Sequence, residues 1–301
     1  MDIKLVENLI QRLRRIQSDF DRHFGIKDII TNSKIFEVLI ADSLNHYLIS
    51  GFAGNRDAKD DKNGEYEYKH FKETSSNHTW TFNDFSDAIF AKLEKIEAVI
   101  FAHIQDKDTK FPRFDWYYQV PGNVIATYLR SATIHITNNR KMVNISSSQI
   151  EKDMGIEKKH VVFVNNGRYL KWTEKIINVV LKIEKETNAR GILTSNKFWE
   201  LLVALKLKHT LLSDQSRDDA KDDKGDFYEY KVAKNSTWSF EDISAVVLKR
   251  YQQEKGIILA IVDKNELSVK KIYSVNPRRL VSLLKKKLIQ KEGRYKKKGK
   301  K

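Results

Sequence analysis

Apolar and polar residues recur along this chain with two periods, the 3.6-residue period of a helix and the two-residue period of a strand. The opening MDIKLVENLIQRLRRIQ has helical spacing, and so does the stretch from Asn32 to Ser50. The polar run from Gly54 to Gly64 reads as a turn region, and GEYEYKHF, which follows, alternates as a strand. Asn63-Gly64 is a hairpin signal, because both residue types accept the left-handed backbone that a tight turn requires. Thr81 and Asp84 have capping-box spacing ahead of FSDAIFAKLEK, which predicts a helix starting there. The apolar run Ala98 to Ile104 predicts a buried strand.

The same series then occurs a second time. NSKIFEVLIA, from Asn32, recurs as SNKFWELLVA from Ser195, and HTWTFNDFS, from His78, as STWSFEDIS from Ser236. EAVIFAHI, from Glu97, recurs as KGIILAIV from Lys255. Ser239 and Asp242 repeat the capping-box spacing ahead of ISAVVLKRYQQ. DAKDDKNGEYEYK (57–69) recurs as DAKDDKGDFYEYK (219–231), identical at ten of 13 positions. The flanking apolar helices have drifted much further, so something besides packing constrains that block. The chain of 301 residues thus reads as two similar α/β domains, each a compact mixed sheet flanked by helices, in a pseudo-dimer. We place them at 1–168 and 169–284, with a basic tail at 285–301.

Composition narrows the function. Cysteine is absent, which excludes disulfide frameworks, cysteine-held metals and thiol nucleophiles and suits a cytoplasmic location. No apolar run approaches a membrane span, and the N-terminus lacks the apolar core of a signal peptide. The formal net charge is +15, but the tail carries +9 of it, so the body is only mildly basic. The total charge points to nucleic acid, but the tail reads equally as a solvated segment with unspecific attraction to polyanions and as a dedicated binding element. There is no phosphate-binding glycine loop and no paired-histidine metal spacing.

In a strand, residues two apart share a face, so Glu67 projects with Lys69 and Glu229 with Lys231. Asp57 and Asp219 lie ten residues upstream, on the turn arm able to return them beside those glutamates. Two carboxylates and an ammonium suit phosphodiester hydrolysis: hard oxygen ligands hold a partly hydrated Mg²⁺, and the lysine orients or deprotonates the attacking water. The arrangement resembles the PD-(D/E)xK nuclease superfamily, with Arg56 and Asp218 in place of its proline. RDAKDDKNGEYEYK and the apolar helix ending in AKLEKIEAVIFAHI resemble the PvuII-like type II restriction endonucleases over most of each copy. The resemblance implies two fused nuclease subunits acting as a monomer on double-stranded DNA, one active site per strand. It also implies Mg²⁺ held by Asp57 and Glu67 and by Asp219 and Glu229, with Lys69 and Lys231 acting on the water. A cognate methyltransferase is a further implication.

The resemblance has departures. Where that family reads bases with histidines, this chain has TWTFND and TWSFED, so Asn83 becomes a DNA-contacting candidate and a different recognition sequence is implied. NNRKMVNISSSQI, from Asn138, resembles a family segment near the DNA and makes Asn138, Asn139, Arg140 and Lys141 candidates, with a polar surface loop as the other reading. Glu37 and Glu200 are either metal-proximal acids or ordinary helical glutamates. Trp80 and Trp238 read as core, and Asp60, Asp61, Asp222 and Asp223 as turn residues. His78 has Ser236 as its counterpart, which argues against a duplicated catalytic base. The alternatives are a repair or structure-selective nuclease and a basic DNA-binding protein without catalysis.

Overall fold

The computed structural model describes residues 2–31, 33–50, 56–83, 85–107, 111–134, 136, 142–162, 167–193, 197–212, 217–240, 243–264 and 266–298, without the side chains of 290–298. The chain is mixed α/β and divides into two compact units, 15–178 and 1–14 together with 179–301. No helix among the described residues is long and apolar enough to cross a membrane.

The amphipathic helix α1 (Ile3–Phe24) buries Val6, Ile10, Leu13 and Phe20 at helical spacing. In unit 15–178 it is followed by α2 (Lys34–Ser43), β1 (Tyr47–Leu48), β2 (Ala58–Lys59) and β3 (Glu65–Lys72). Next come β4 (Trp80–Asn83), α3 (Asp87–Leu93), β5 (Ala98–Gln105), β6 (Arg113–Pro121) and α4 (Gly122–Thr133). The unit continues with β7 (Met142–Ile145), α5 (Ser147–Asp153), β8 (Lys159–His160) and the start of α6 (Leu170–Thr187). Among the described residues the main sheet has the order β1-β2-β3-β5-β6-β8. β2 and β3 form an antiparallel hairpin, β3 runs parallel to β5 across α3, and β6 returns antiparallel. β5 is buried along nearly its whole length, as the central position and the parallel partner demand.

The other unit repeats this plan. α7 (Lys197–Leu207), β9 (Thr210–Leu211), β10 (Ala220–Lys221) and β11 (Phe227–Ala233) lead to α8 (Ala245–Gln253), β12 (Gly256–Asp263), β13 (Ser268–Val275) and α9 (Pro277–Lys298). The sheet order is β13-β12-β11-β10-β9, with β11 parallel to β12 and β13 antiparallel to it. The lysine-rich segment continues α9 as far as Lys298. The hairpin turns explain one difference within the repeated block: Asn63 and Gly225, at equivalent positions, both have positive φ, 64° and 83°.

The capping-box expectation is corrected. Thr81 lies in β4, paired with Asn144 of β7, and α3 is capped instead by Ser86, whose side chain accepts from the Ile89 amide. In the second unit Ser244 caps α8 in the same way, through the Val247 amide. Asp84 and Asp242 lie outside the described residues. The sequence WTF alternates as a strand because Trp80 and Phe82 enter the core, with Thr81 between them. Trp80 is a core residue whose indole donates to the Ala102 carbonyl (2.9 Å), and Trp238 makes the equivalent bond to Ala260 (3.0 Å).

Close backbone packing yields a test. A Cβ on Gly122 would lie 2.2 Å from the Leu93 carbonyl oxygen and 2.5 Å from that of Ile96, whereas one on Gly155 meets nothing within 4 Å but must adopt φ +67°. In urea melts Gly122→Ala is expected to cost about 3 kcal/mol through backbone displacement. Gly155→Ala should cost about 1 kcal/mol, from its left-handed backbone alone.

Candidate active site

The site in unit 15–178 is built on the β2–β3 hairpin. The Asp57 amide donates to the Tyr66 carbonyl (2.8 Å), and the Asp57 carboxylate accepts the Tyr68 amide through Oδ2 (2.7 Å). The aspartate is thereby tied to the strand that carries Glu67 and Lys69. On one face of β3, Tyr68 Oη lies 2.8 Å from His46 Nδ1, and the Tyr66 ring stacks on that imidazole with centroids 4.2 Å apart. On the other face, Lys69 Nζ donates to Glu67 Oε1 (2.6 Å). α2 adds Lys34 and Glu37, which pair with each other, and Lys34 Nζ stands 3.6 Å from Asp57 Oδ1.

The second unit assembles the same groups. The Asp219 carboxylate accepts the Tyr230 amide (2.6 Å), Lys231 pairs with Glu229, and Lys197 Nζ donates to Glu200 (2.8 Å). His209 Nδ1 lies 2.8 Å from Tyr230 Oη. One contact is new: Arg250 Nη2 donates to the other oxygen of Glu229 (3.1 Å).

Acidic charge crowds both sites. Burial, then the neighbouring Asp57 charge, pushes the Glu37 carboxyl up to about 8 against the opposing pull of Lys34. Burial likewise raises Glu67, with Lys69 opposing and Asp57 adding to the rise. Burial works to lower Lys69, but the charge and hydrogen bond of Glu67 outweigh it, so the amine is held as an ammonium ion. In the other unit burial raises Asp219 to about 7, reinforced by Glu200 and Glu229. His70 is pushed down to about 4 by burial and the Lys69 charge, which keeps it neutral and removes it as a general acid near neutral pH.

The structure therefore brings together Glu37, Asp57, Glu67 and Lys69 in one unit, and Glu200, Asp219, Glu229 and Lys231 in the other. Among the described residues no group of three or more histidine, cysteine or acidic side chains is arranged to enclose a metal ion. An Asp and Glu pair backed by mutually repelling acids still suits Mg²⁺, which takes one or two carboxylates and keeps several waters. The ammonium groups of Lys34 and Lys69 already stand where cationic charge is favoured.

Asp60 is committed to the turn. Its Oδ1 accepts the Lys62 and Gly64 amides (2.9 and 2.8 Å) and its Oδ2 the Tyr66 hydroxyl (3.0 Å). Asp222 makes the equivalent bonds to Lys224, Asp226 and Tyr228. Asp61 and Asp223 are exposed on their turns. Asn83 is exposed at the end of β4, opposite Met142. Asn138, Asn139, Arg140 and Lys141 lie outside the described residues. Sequence reasoning missed Lys34, Lys197 and Arg250; the first two had a signal, the K-x-x-E spacing shared by NSKIFE and SNKFWE. Compared with known proteins, the chain matches no family model and no curated sequence.

The raised carboxyls set a pH dependence. Glu37 and Asp219 bind protons more tightly folded than unfolded, so their contribution to stability falls as pH rises toward 7 to 8. His46, His70 and His209, held below the ordinary imidazole value by burial, act in the opposite sense up to about pH 6.5. In EDTA, urea melts from about pH 6.5 to 8, above the range of the histidines, are expected to show the decline due to the acids, and Glu37→Gln should flatten it. A Glu37→Gln protein with an unchanged slope would show that the buried acids do not repel as described.

Proposed function

We propose that this chain is a Mg²⁺-dependent, site-specific double-stranded DNA endonuclease of type II restriction character, two PvuII-like PD-(D/E)xK domains acting as a pseudo-dimer in the cytoplasm. The observation that supports this most is the duplicated set of a half-buried Asp, a buried Glu and a half-buried Lys on the same hairpin and parallel strand in both units. A structural turn needs none of it, since Asp60 and Asp222 already satisfy the turn amides.

Asp57 with Glu67, and Asp219 with Glu229, would hold the metal. When bound, the cation neutralises phosphate charge and acidifies a water molecule. This chain's residues do the rest. The Tyr68 and Tyr230 amides fix one oxygen of each aspartate, leaving the other to face the site. Lys69 and Lys231 hold a proton beside Glu67 and Glu229 and orient the attacking water. Glu37 and Glu200 tune the charge around them. On the DNA side, Asn83 and the segment Asn138 to Lys141 would contact bases and phosphates, which leaves the second unit, without a counterpart to β7 and α5 among its described residues, to read a different half-site.

The test is cleavage of supercoiled plasmid carrying diverse sequence, with Mg²⁺ or EDTA. Wild type is expected to give discrete linear fragments with Mg²⁺ alone. Asp57→Ala or Asp219→Ala should leave a nicking enzyme with double-strand cleavage reduced by about 100-fold or more, the scale of losing electrostatic stabilisation of a transition state. Loss of both strand cuts from one substitution would refute independent sites. Cutting at mismatches or branches instead of fixed sequences would favour a repair nuclease, and DNA binding without cleavage a non-catalytic protein.

A further inference from the structure

The two sites differ around the glutamate of the strand. In the first, Glu67 has one hydrogen-bonding cation among the described residues, Lys69, and its other oxygen is left to the site. In the second, Lys231 takes Oε1 of Glu229 and Arg250 takes Oε2. The parallel pairing of Tyr66 with Ala98 and of Tyr228 with Gly256 aligns α8 with α3 and places Lys92 at the position of Arg250. Lys92 is exposed. The charge balance differs accordingly. Glu37, Asp57 and Glu67 face two ammonium groups, Lys34 and Lys69. Glu200, Asp219 and Glu229 face three cations, Lys197, Lys231 and Arg250.

Arg250 also has somewhere else to go. Its Nε is buried without a hydrogen-bond partner, and so is Glu254 Oε2, while Asp218 Oδ1 has the Arg217 guanidinium 3.7 Å away and no hydrogen bond. Glu254 is four residues on from Arg250, at the end of α8, which puts the two side chains on neighbouring turns of one helix face. It is 6% exposed, and burial with the adjacent Asp218 pushes its carboxyl up to about 8. Buried polar atoms are seldom left unpaired, and here an unpaired donor, Arg250 Nε, and an unpaired acceptor, Glu254 Oε2, adjoin the site. The first unit has Ile96 and Arg56 at the positions of Glu254 and Asp218, so this second carboxyl pair is particular to one copy.

We propose that Arg250 is a positioning residue that covers Glu229 in the metal-free protein and moves to the Glu254 and Asp218 carboxyls when a divalent cation enters, so that the second site loads metal more weakly than the first. This rests on the active-site reading above. Strand cutting is then ordered, with the strand served by Asp57, Glu67 and Lys69 cut first.

The experiment measures Mn²⁺ binding to the full chain without DNA, from the electron paramagnetic resonance signal of free Mn²⁺. Asp57→Asn with Glu67→Gln leaves only the second site, and Asp219→Asn with Glu229→Gln leaves only the first. The first site is expected to bind Mn²⁺ about tenfold more tightly, the scale of one charge-assisted hydrogen bond that must be released. Arg250→Gln should tighten the second site to match and leave the first unchanged. Glu254→Gln removes the alternative seat and should weaken the second site further, which keeps the idea testable if Arg250→Gln fails to fold. Equal affinities with no response to either substitution overturn the role of Arg250 while leaving the nuclease reading in place. Mn²⁺ binding that ignores both pairs of carboxylate substitutions overturns the reading itself.

Discussion

One hydrogen bond organises each site: the strand amide of Tyr68 donated to Asp57, and that of Tyr230 to Asp219. A bond from an amide to a charged carboxylate contributes about 1.5 to 3 kcal/mol and, more to the point, sets direction. It closes the hairpin with the aspartate turned toward the face of the strand that carries Glu67 and Lys69. The opposite face is locked by the tyrosines, whose hydroxyls engage His46 and Asp60 in one unit and His209 and Asp222 in the other. Strand alternation then leaves the charged pair a single side on which to gather.

That gathering works against stability. Three acids in a partly buried space must be neutralised, and buried ion pairs recover little more than the desolvation they cost. The chain meets this with ammonium groups from α2 and α7 and from the strands, and in the second unit with a guanidinium as well. Carboxyls such as Glu37 and Asp219 remain displaced toward neutral pH, first because they are buried and then because neighbouring acids repel them. Perturbed acids in both units are what the proposed active-site reading accounts for.

Much of this was legible in the residues. The repeated 13-residue block stood out because its charges resisted the drift of its surroundings, and the alternation of EYEYK placed Glu67 beside Lys69. The buried run at Ala98 announced the central strand. Other elements depended on partners far along the chain. Thr81 and Asp84 have helix-cap spacing, but WTF becomes a strand through pairing with Met142 to Ile145, some 60 residues away, which no local pattern reveals. Lys34 and Lys197 sit on largely apolar helices, where a lone lysine reads as a solvated side chain; the fold instead sets Lys34 beside the Asp57 that the hairpin returns to it and pairs Lys197 with Glu200. Arg250 was invisible because its partner, Glu229, lies on a strand that only the folded unit brings to it.

The most direct measurement is anomalous diffraction from crystals soaked in Mn²⁺. A peak is expected between the Asp57 and Glu67 carboxylates and another between those of Asp219 and Glu229, with the Lys34 ammonium turned away from Asp57. Crystals saturated with Mn²⁺ that show no peak at either carboxylate pair, with Lys34 still bridging Glu37 and Asp57, would contradict this expectation.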